Sequence, residues 1–492
     1  MSGVGAEIGT IRGVRIVGGE RDFLAEDEPV DLVLAQGRII DIAPTGVLPA
    51  RGEVLDADGA WAVPGLWDNH VHTVQWALAA QRAPLGECTS AAQAAAVMGQ
   101  VPAGADGRRV GSGYRDALWP DAPTQALLDS ATGEVPSYLI NADVHSVWLN
   151  SAALRREGFE AVARDGVLVE EDAFEISRRL NAVSPEVADR AVAVAADKAA
   201  ARGITGLVDF DMAWNPEAWS RRVAAGFAAH LVECAVYPAQ LQRAIDEGWH
   251  TGDAVAGSLV HFGSLKVITD GSLGTRTAAC SHPYPGDPHN RGILTVTPAE
   301  LTSLLTRATG AGIAAAVHAI GDRAVTAALD AFAATGAHGS IEHAQLVRHA
   351  DLARLGRLGL AASVQPQHAL DDRDLVAAYW GEQTALAYPL RSLLQAGARL
   401  LLGSDAPVAP LDPWQAIAAA VYRTDDEREP WQPEERLSVL EALTASVRTT
   451  LTPGQPADIV LCAENPRTAE AAVLRTMPVQ ATLLAGALTH HA

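Results

Sequence analysis

The middle of the chain alternates short apolar runs with alanine-rich stretches of helical character. Eight apolar runs stand out, at residues 62–72, 204–210, 230–237, 264–269, 313–318, 340–343, 360–365 and 399–404. Continuous apolar runs of this length read as strands buried on both faces. Residues 185–202, 298–310, 322–335 and 349–358 predict helices between them. Strands that alternate with helices form a parallel sheet covered by helices. Eight such units predict an α/β fold of the (β/α)8 TIM-barrel type.

Two parts of the chain break the alternation. The first and second runs are separated by about 130 residues, far more than an ordinary βα connection. Residues from about 73 to 184 therefore read as an insertion after strand 1, over the barrel mouth, with strand-like pieces at 109–113 and 137–142. The two chain ends share another character. Residues 14–17, 30–34 and 38–42 are β-rich, with turn points at Gly18-Gly19 and Gln36-Gly37. Residues 457–462, 472–475 and 479–484 are candidate strands around Pro453-Gly454. Neither end has the apolar residues for a core of its own. The expectation is one small β-sandwich domain built from 1–60 and 441–492, around a barrel of 61–440.

Composition narrows the class. Hydrophobic residues are 48% and charged residues 20% of the 492, as in a soluble globular protein with more than one core. Acidic residues outnumber basic ones 59 to 37, for a net charge of -22. That excess argues against nucleic acid or an anionic membrane as the partner and leaves a small-molecule substrate as the expectation. Cys88, Cys234, Cys280 and Cys462 form no C-x-x-C pair and fit a reducing cytoplasm. The stretch Met1 to Arg15 has no sustained apolar run, so no signal peptide is expected, and no stretch reaches the ~20 apolar residues of a membrane span. A cytoplasmic location is expected. A homodimer is compatible with the sequence without being dictated by it.

The chemistry lies at the ends of the predicted strands. His70 and His72 are two apart, so their side chains leave one face of a strand and can share a metal ion. Lys266 lies within Ser-Leu-Lys-Val-Ile, His318 ends Ala-Ala-Ala-Val-His, His343 ends Ile-Glu-His, and Asp405 follows Leu-Leu-Leu-Gly-Ser. Each residue alone has an ordinary structural explanation: a hydrogen-bonded core histidine, a snorkelling lysine, a helix-capping aspartate. Together they are metal-suited groups at successive strand ends, and in a barrel those ends converge on one mouth.

This set resembles the amidohydrolase superfamily, and within it the YtcJ-like group. The matching stretches are Val63-Pro64-Gly65-Leu66-Trp67-Asp68-Asn69-His70-Val71-His72, Asp143-Val144-His145-Ser146-Val147-Trp148-Leu149-Asn150-Ser151, and Lys266 through Thr277. Further ones are His318-Ala319-Ile320-Gly321-Asp322-Arg323, Ile341-Glu342-His343-Ala344-Gln345, Gln365-Pro366-Gln367-His368, Gly403-Ser404-Asp405-Ala406-Pro407-Val408 and Pro453-Gly454-Gln455-Pro456-Ala457-Asp458. The resemblance implies two divalent metal ions, with zinc expected. His70 and His72 would hold the more buried ion, His318 and His343 the second, and Lys266 would bridge both as a carbamate formed with CO2. That modification makes physical sense: an ammonium buried beside two cations is strongly disfavoured, whereas a carbamate offers two anionic oxygens. Asp405 would ligate a metal and serve as general base. His145, Arg276 and His368 would contact substrate, while Asp270 and Asp322 are expected to anchor loops and Trp67, Trp76, Trp119 and Trp148 to pack in the core. Family members usually carry a Gly-Trp-Asp-like segment where this chain has Gly113-Tyr114-Arg115, so substrate preference does not transfer.

The implied reaction is hydrolysis of an amide or cyclic amide by a metal-bound hydroxide. An ester or lactone hydrolase would use the same attack on a carbonyl. Deaminases of the superfamily tend to lack the strand-four lysine and to place a glutamate three residues after the strand-five histidine; here that position is Gly321. A catalytically silent assembly protein on the same barrel would be expected to have lost ligands, and all six positions are filled here.

Overall fold

The computed structural model describes residues 5–18, 28–104, 106–381 and 384–492. Eight parallel strands form the central sheet: β1 (Leu66–Val71), β2 (Ile204–Asp209), β3 (Leu231–Val236), β4 (Val260–Ile268), β5 (Ala315–Ala319), β6 (Gly339–His343), β7 (Ala361–Val364) and β8 (Arg399–Leu402). Neighbours in the chain are neighbours in the sheet, from β1 through to β8. Most positions of these strands are buried on both faces, which is why they read as unbroken apolar runs. Leu207, Val232, Val267 and Val317 of these strands join one large apolar core with the surrounding helices, while Trp67, Val208, Phe210, Ala235 and Ala316 form a separate small cluster.

The last and first strands meet in a distinctive way. The segment after β8 closes the ring: Asp405 N–H donates to the His70 carbonyl at 2.8 Å and His72 N–H to the Ala406 carbonyl at 2.9 Å. The Asn69 side chain adds a bond to the Leu402 carbonyl at 2.8 Å. Barrel closure thus occurs at the C-terminal mouth and holds Asp405 beside His70 and His72. Gly403 permits this approach, because a Cβ there would lie 2.8 Å from the His70 nitrogen.

The predicted run at 62–72 divides at Gly65. Trp61–Pro64 pairs antiparallel with Ile459–Cys462 in a second sheet, and only Leu66–Val71 enters the barrel. A side chain at Gly65 would run into Thr205, with a Cβ 2.2 Å from its Oγ1. The second sheet joins both chain ends. It contains Ile8–Ile16, Val30–Ala35, Arg38–Pro44, Glu53–Asp56, Trp61–Pro64, Ile459–Cys462, Val479–Leu484 and Ala487–His491. A register shift between Ile11 and Val14 lets the first of these strands pair with different partners along its length. Ile11, Val14, Leu32 and Ile39 from one end pack with Ile459 and Leu483 from the other in a shared core. Residues 472–475 are not a strand. They lie in the helix Ala471–Arg475, of which only Leu474 is buried. One apolar anchor and two alanines suit a helical turn better than an alternating strand. Gly19 of the Gly18-Gly19 turn, and Met1 to Val4 of the first stretch, lie outside the described residues.

After β1 and the short helix Thr73–Ala79, the insertion builds a five-stranded sheet of Ala83–Pro84, Arg109–Tyr114, Ser137–Asn141, Ser146–Leu149 and Val167–Val169. Helices Ala91–Gln100 and Gln125–Thr132 flank it, and the helix Glu171–Asn181 leads back towards the barrel. Its two apolar clusters are centred on Met98, Leu139 and Trp148 and on Ile140, Val147 and Ile176. The tryptophans serve packing, as expected. Trp148 is buried with its indole N–H on the Thr124 carbonyl, Trp119 bonds the Cys88 carbonyl, and Trp67 stacks under Arg448. Outside the insertion, the helices Pro298–Gly310 and Asp322–Thr335 coincide with the predicted ones. Among the described residues no helix is long and apolar enough to cross a membrane.

Candidate metal centre

His70 and His72 leave the end of β1 on one face, Lys266 rises from β4, His318 from β5, His343 ends β6, and Asp405 follows β8. All six line the floor of one cavity of about 500 Å3. The Asp405 carboxylate is central: its Oδ1 lies 3.4 Å from the Nε2 atoms of both His70 and His72, and its Oδ2 lies 3.9 Å from His343 Nδ1. The Lys266 amine is 3.1 Å from His70 Nε2. The His343 ring lies 4.8 Å from that of His70 and 4.5 Å from that of His318. His70, His343 and Asp405 offer ligand atoms all within 4.8 Å of one another.

The backbone is held in unusual conformations to achieve this. His343 has φ 72° and Asp405 φ 59°, in the left-handed region that non-glycine residues rarely occupy. Such outliers persist when surrounding structure holds them, and they cluster at functional sites.

Partners orient the imidazoles. The Glu342 carboxylate accepts from His70 Nδ1 at 2.7 Å, and the Gln365 side-chain oxygen accepts from His343 Nδ1 at 2.8 Å. Both acceptors place the ring proton on Nδ1, so that Nε2 carries the lone pair, which in His70 faces the Lys266 amine. Asp68 accepts from the His70 and Ser404 backbone N–H groups and ties β1 to the loop that carries Asp405. Burial, and then neighbouring cations, keep His70 and His343 well below the usual imidazole range, so both are neutral. Burial draws the Lys266 ammonium down to about 8, against the pull of Glu342 and Asp405. Burial would raise Asp405, yet the His72 hydrogen bond and the surrounding imidazoles hold it well below the carboxylate range.

Neutral imidazoles, an ionised carboxylate and a buried amine form a set suited to a divalent cation. Among the described residues the buried His72 Nδ1 has no hydrogen-bond partner, and His318 Nε2 meets only the Asp270 carboxylate, 3.4 Å away. The donor set therefore fits a metal.

The insertion supplies the walls. His145 reaches the cavity with its ring 5.8 Å from that of His318. Its Nδ1 lies 3.0 Å from the Glu170 carboxylate, which in turn accepts from Thr277 Oγ1 in the loop after β4. Burial opposes the His145 charge, but Glu170 raises the imidazole to about 9. His368 also lines the cavity, stacked on His343 at 6.4 Å, with a buried Nε2 that has no hydrogen-bond partner among the described residues. Arg276 is not brought to the site: it is exposed, with its guanidinium 5.7 Å from the Tyr379 ring centre. Asp270 accepts the backbone N–H groups of Ala279, Ile320 and Gly321, and Asp322 holds Ser281 and Arg348; both tie loops together. In the departing segment, Tyr114 is buried against Ser146, and Arg115 lines the cavity paired with Asp371 at 2.9 Å.

Reading the sequence did not single out Glu342, Gln365 or Glu170. The first two carried a usable signal, because each is a polar residue at a buried strand end, inside a motif already noted. Glu170 had none: it lies 25 residues from His145, and only the folding of the insertion brings them together.

The model of the amidohydrolase family (Amidohydro_3) matches residues 53–490. The chain belongs to that family, and it is a hydrolase of the class acting on carbon–nitrogen bonds. Protein LONG AFTER FAR-RED 3 of Arabidopsis thaliana is 28% identical, over 88% of this chain and 84% of its own length. The "Putative amidohydrolase YtcJ" of Bacillus subtilis (strain 168) is 27% identical over 89% of this chain and 90% of its own. The N-substituted formamide deformylase of Arthrobacter pascens is 25% identical over 95% and 96%. An uncharacterized metal-dependent hydrolase from Pyrococcus horikoshii OT3 shares the fold with a TM-score of 0.77, at 24% identity, covering 94% of this chain and 99% of that one.

Proposed function

We propose that this protein hydrolyses an amide or cyclic amide of a small molecule with the help of two divalent metal ions, zinc being the expected one. The observation that carries the reading is the convergence of His70, His343 and the ionised Asp405 within 4.8 Å, with Lys266 against His70. His70 and His72 would hold one ion and His318 and His343 the other, with Lys266 bridging as a carbamate. Bound there, the metal supplies Lewis-acid polarisation of the carbonyl and a water made acidic enough to react at neutral pH. Asp405 accepts the proton of the attacking water on its carboxylate and returns it to the leaving nitrogen. Glu342 and Gln365 keep the imidazoles aimed throughout. His145 and His368 contact the substrate from the cavity wall.

Gly321 supports hydrolysis over deamination. A Cβ at this position would lie 2.2 Å from the Ala279 carbonyl oxygen, so no glutamate can stand where such deaminases carry theirs. The deformylase relative points to N-substituted formamides as first substrates to try. The test is metal analysis combined with a hydrolysis screen of N-formyl, N-acyl and cyclic amides. About two divalent ions per chain and turnover of an amide are expected. Less than one ion per chain after careful preparation would sink the binuclear centre, and turnover of esters alone would move the reading to an esterase.

A further inference from the structure

Two carboxylates of the insertion hold His145 at its backbone and at its ring. Asp143 Oδ1 accepts the His145 backbone N–H at 3.0 Å, and Glu170 Oε2 lies 3.0 Å from the ring Nδ1. Both carboxylates are tied in turn to one short loop of the barrel, the segment 272–277 after β4. Ser272 Oγ donates to Asp143 Oδ2 at 2.7 Å, and Thr277 Oγ1 donates to Glu170 Oε1. Thr275 Oγ1 stands between these hydroxyls, 2.8 Å from Ser272 Oγ and bonded to Thr277 Oγ1, and joins them into a chain. The packing here is close. A Cβ at Gly274 would lie 2.9 Å from Asp143 Oδ2, and one at Gly271 would run into the Thr277 hydroxyl and the Glu170 carboxylate. Glu170 is buried and uses both oxygens: hydroxyls take Oε1, and Oε2 is left as the acceptor for the imidazole. That arrangement places the ring proton of His145 on Nδ1. Nε2 is then the nitrogen left for the cavity that His145 lines, where its ring stands 5.8 Å from that of His318. Phe174 packs edge-on against the same ring at 5.1 Å. Glu170 itself does not line the cavity, so whatever it does there it does through His145.

We propose that Glu170 is a positioning residue for the hydrolysis: anchored by the hydroxyls of the loop after β4, it fixes the His145 ring with Nε2 towards the reacting carbonyl. The proposal rests on the hydrolytic reading above, and it gives the insertion a part in the chemical step. The physical reason is that a group acting on a reacting atom must be held in place, and a misplacement of about 1 Å can cost about 100-fold in rate. Anchoring Glu170 on the loop that follows Lys266 sets His145 against the barrel, although the insertion carries both.

Two measurements on the metal-loaded full chain test this. The first is kinetic, on the amide turned over fastest in the screen above. Glu170→Leu is expected to lower kcat by about 10- to 100-fold and to change KM by less than about threefold. Glu170→Gln, which keeps an oxygen for the imidazole, should retain part of the rate. In a His145→Ala background, Glu170→Leu should cost no more than about twofold, because the residue through which it acts is gone. A merely structural role would lower the rate by the same factor in both backgrounds, and that result would overturn the proposal. Thr277→Val removes only the hydroxyl anchor; it should show a smaller loss with the same dependence on His145, and it keeps the test open if Glu170→Leu does not fold. The second measurement needs no substrate. In the nitrogen-15 spectrum of histidine-labelled protein, the His145 ring is identified by its absence in His145→Ala. A hydrogen-bonded Nδ1 proton is expected in the parent and in Glu170→Gln, and its loss in Glu170→Leu; an unchanged His145 signal there overturns the positioning. If the ring responds as expected while no amide is turned over, the coupling of Glu170 to His145 stands and the hydrolytic reading falls instead.

Discussion

The barrel mouth and the insertion above it surround the same cavity, yet they are built on different terms. At the mouth, the candidate ligands sit at or near the strand ends of a closed, largely buried sheet, and the far sides of two of them are held by a carboxylate or an amide: His70 by Glu342 and His343 by Gln365. In the insertion, the groups facing the cavity come from loops and helix ends, and they are held by ion pairs such as His145 with Glu170 and Arg115 with Asp371. The contrast teaches a division of labour. The barrel fixes the candidate ligands, and the insertion supplies walls of the cavity in front of them.

That division can be broken by substitution. The largest effect is expected at Lys266: Lys266→Ala should abolish turnover, with partial recovery on addition of short carboxylic acids, and unchanged turnover would rule out the bridge. Asp405→Asn should keep part of the metal while cutting turnover by about 1,000-fold; normal rates would place the general base elsewhere. Glu342→Gln should lower metal affinity by about 10- to 100-fold in a chelator competition, because His70 loses the partner that orients it. In the insertion, His145→Ala should lower kcat/KM by about 10- to 100-fold while metal content stays at the wild-type level. If His145→Ala instead releases metal, the division between the two regions is wrong.

The smallest effect lies far from the cavity. The Arg391 hydrogen bonds to Glu441 hold its carboxyl down at about 2. A depressed folded-state value means that the stabilisation is complete above the ordinary carboxyl value and is lost as pH falls from about 4.5 through about 2. Both side chains are partly exposed, so only a modest shift is expected. The melting temperature of Glu441→Gln should fall below that of the parent at neutral pH and converge with it in acid. Parallel curves across that range would remove the pair from the stability balance.

Much of the mouth was legible in the sequence because a barrel strand announces itself locally. Burial on both faces makes an apolar run, and a histidine or aspartate at its end interrupts that run visibly. The β strands of the chain ends were legible from β-rich stretches bounded by turn residues, while Gly65 was not read as a boundary, since one apolar run served two sheets. At 472–475 the short apolar piece was read as a strand and is a helical turn, because a few residues carry too little periodicity to separate the two.

By itself, the sequence determined the alternation of strands and helices, the presence and place of the insertion, and the residues His70, His72, Lys266, His318, His343 and Asp405 at the strand ends. Tertiary structure alone decided how they meet. It closed the barrel through the Asp405 and His70 backbones, set Glu170 behind His145 and left Arg276 on the surface. The physical reason is that local periodicity records which positions are buried. Which buried groups face one another depends on contacts between residues tens to hundreds of positions apart, and no local pattern contains them.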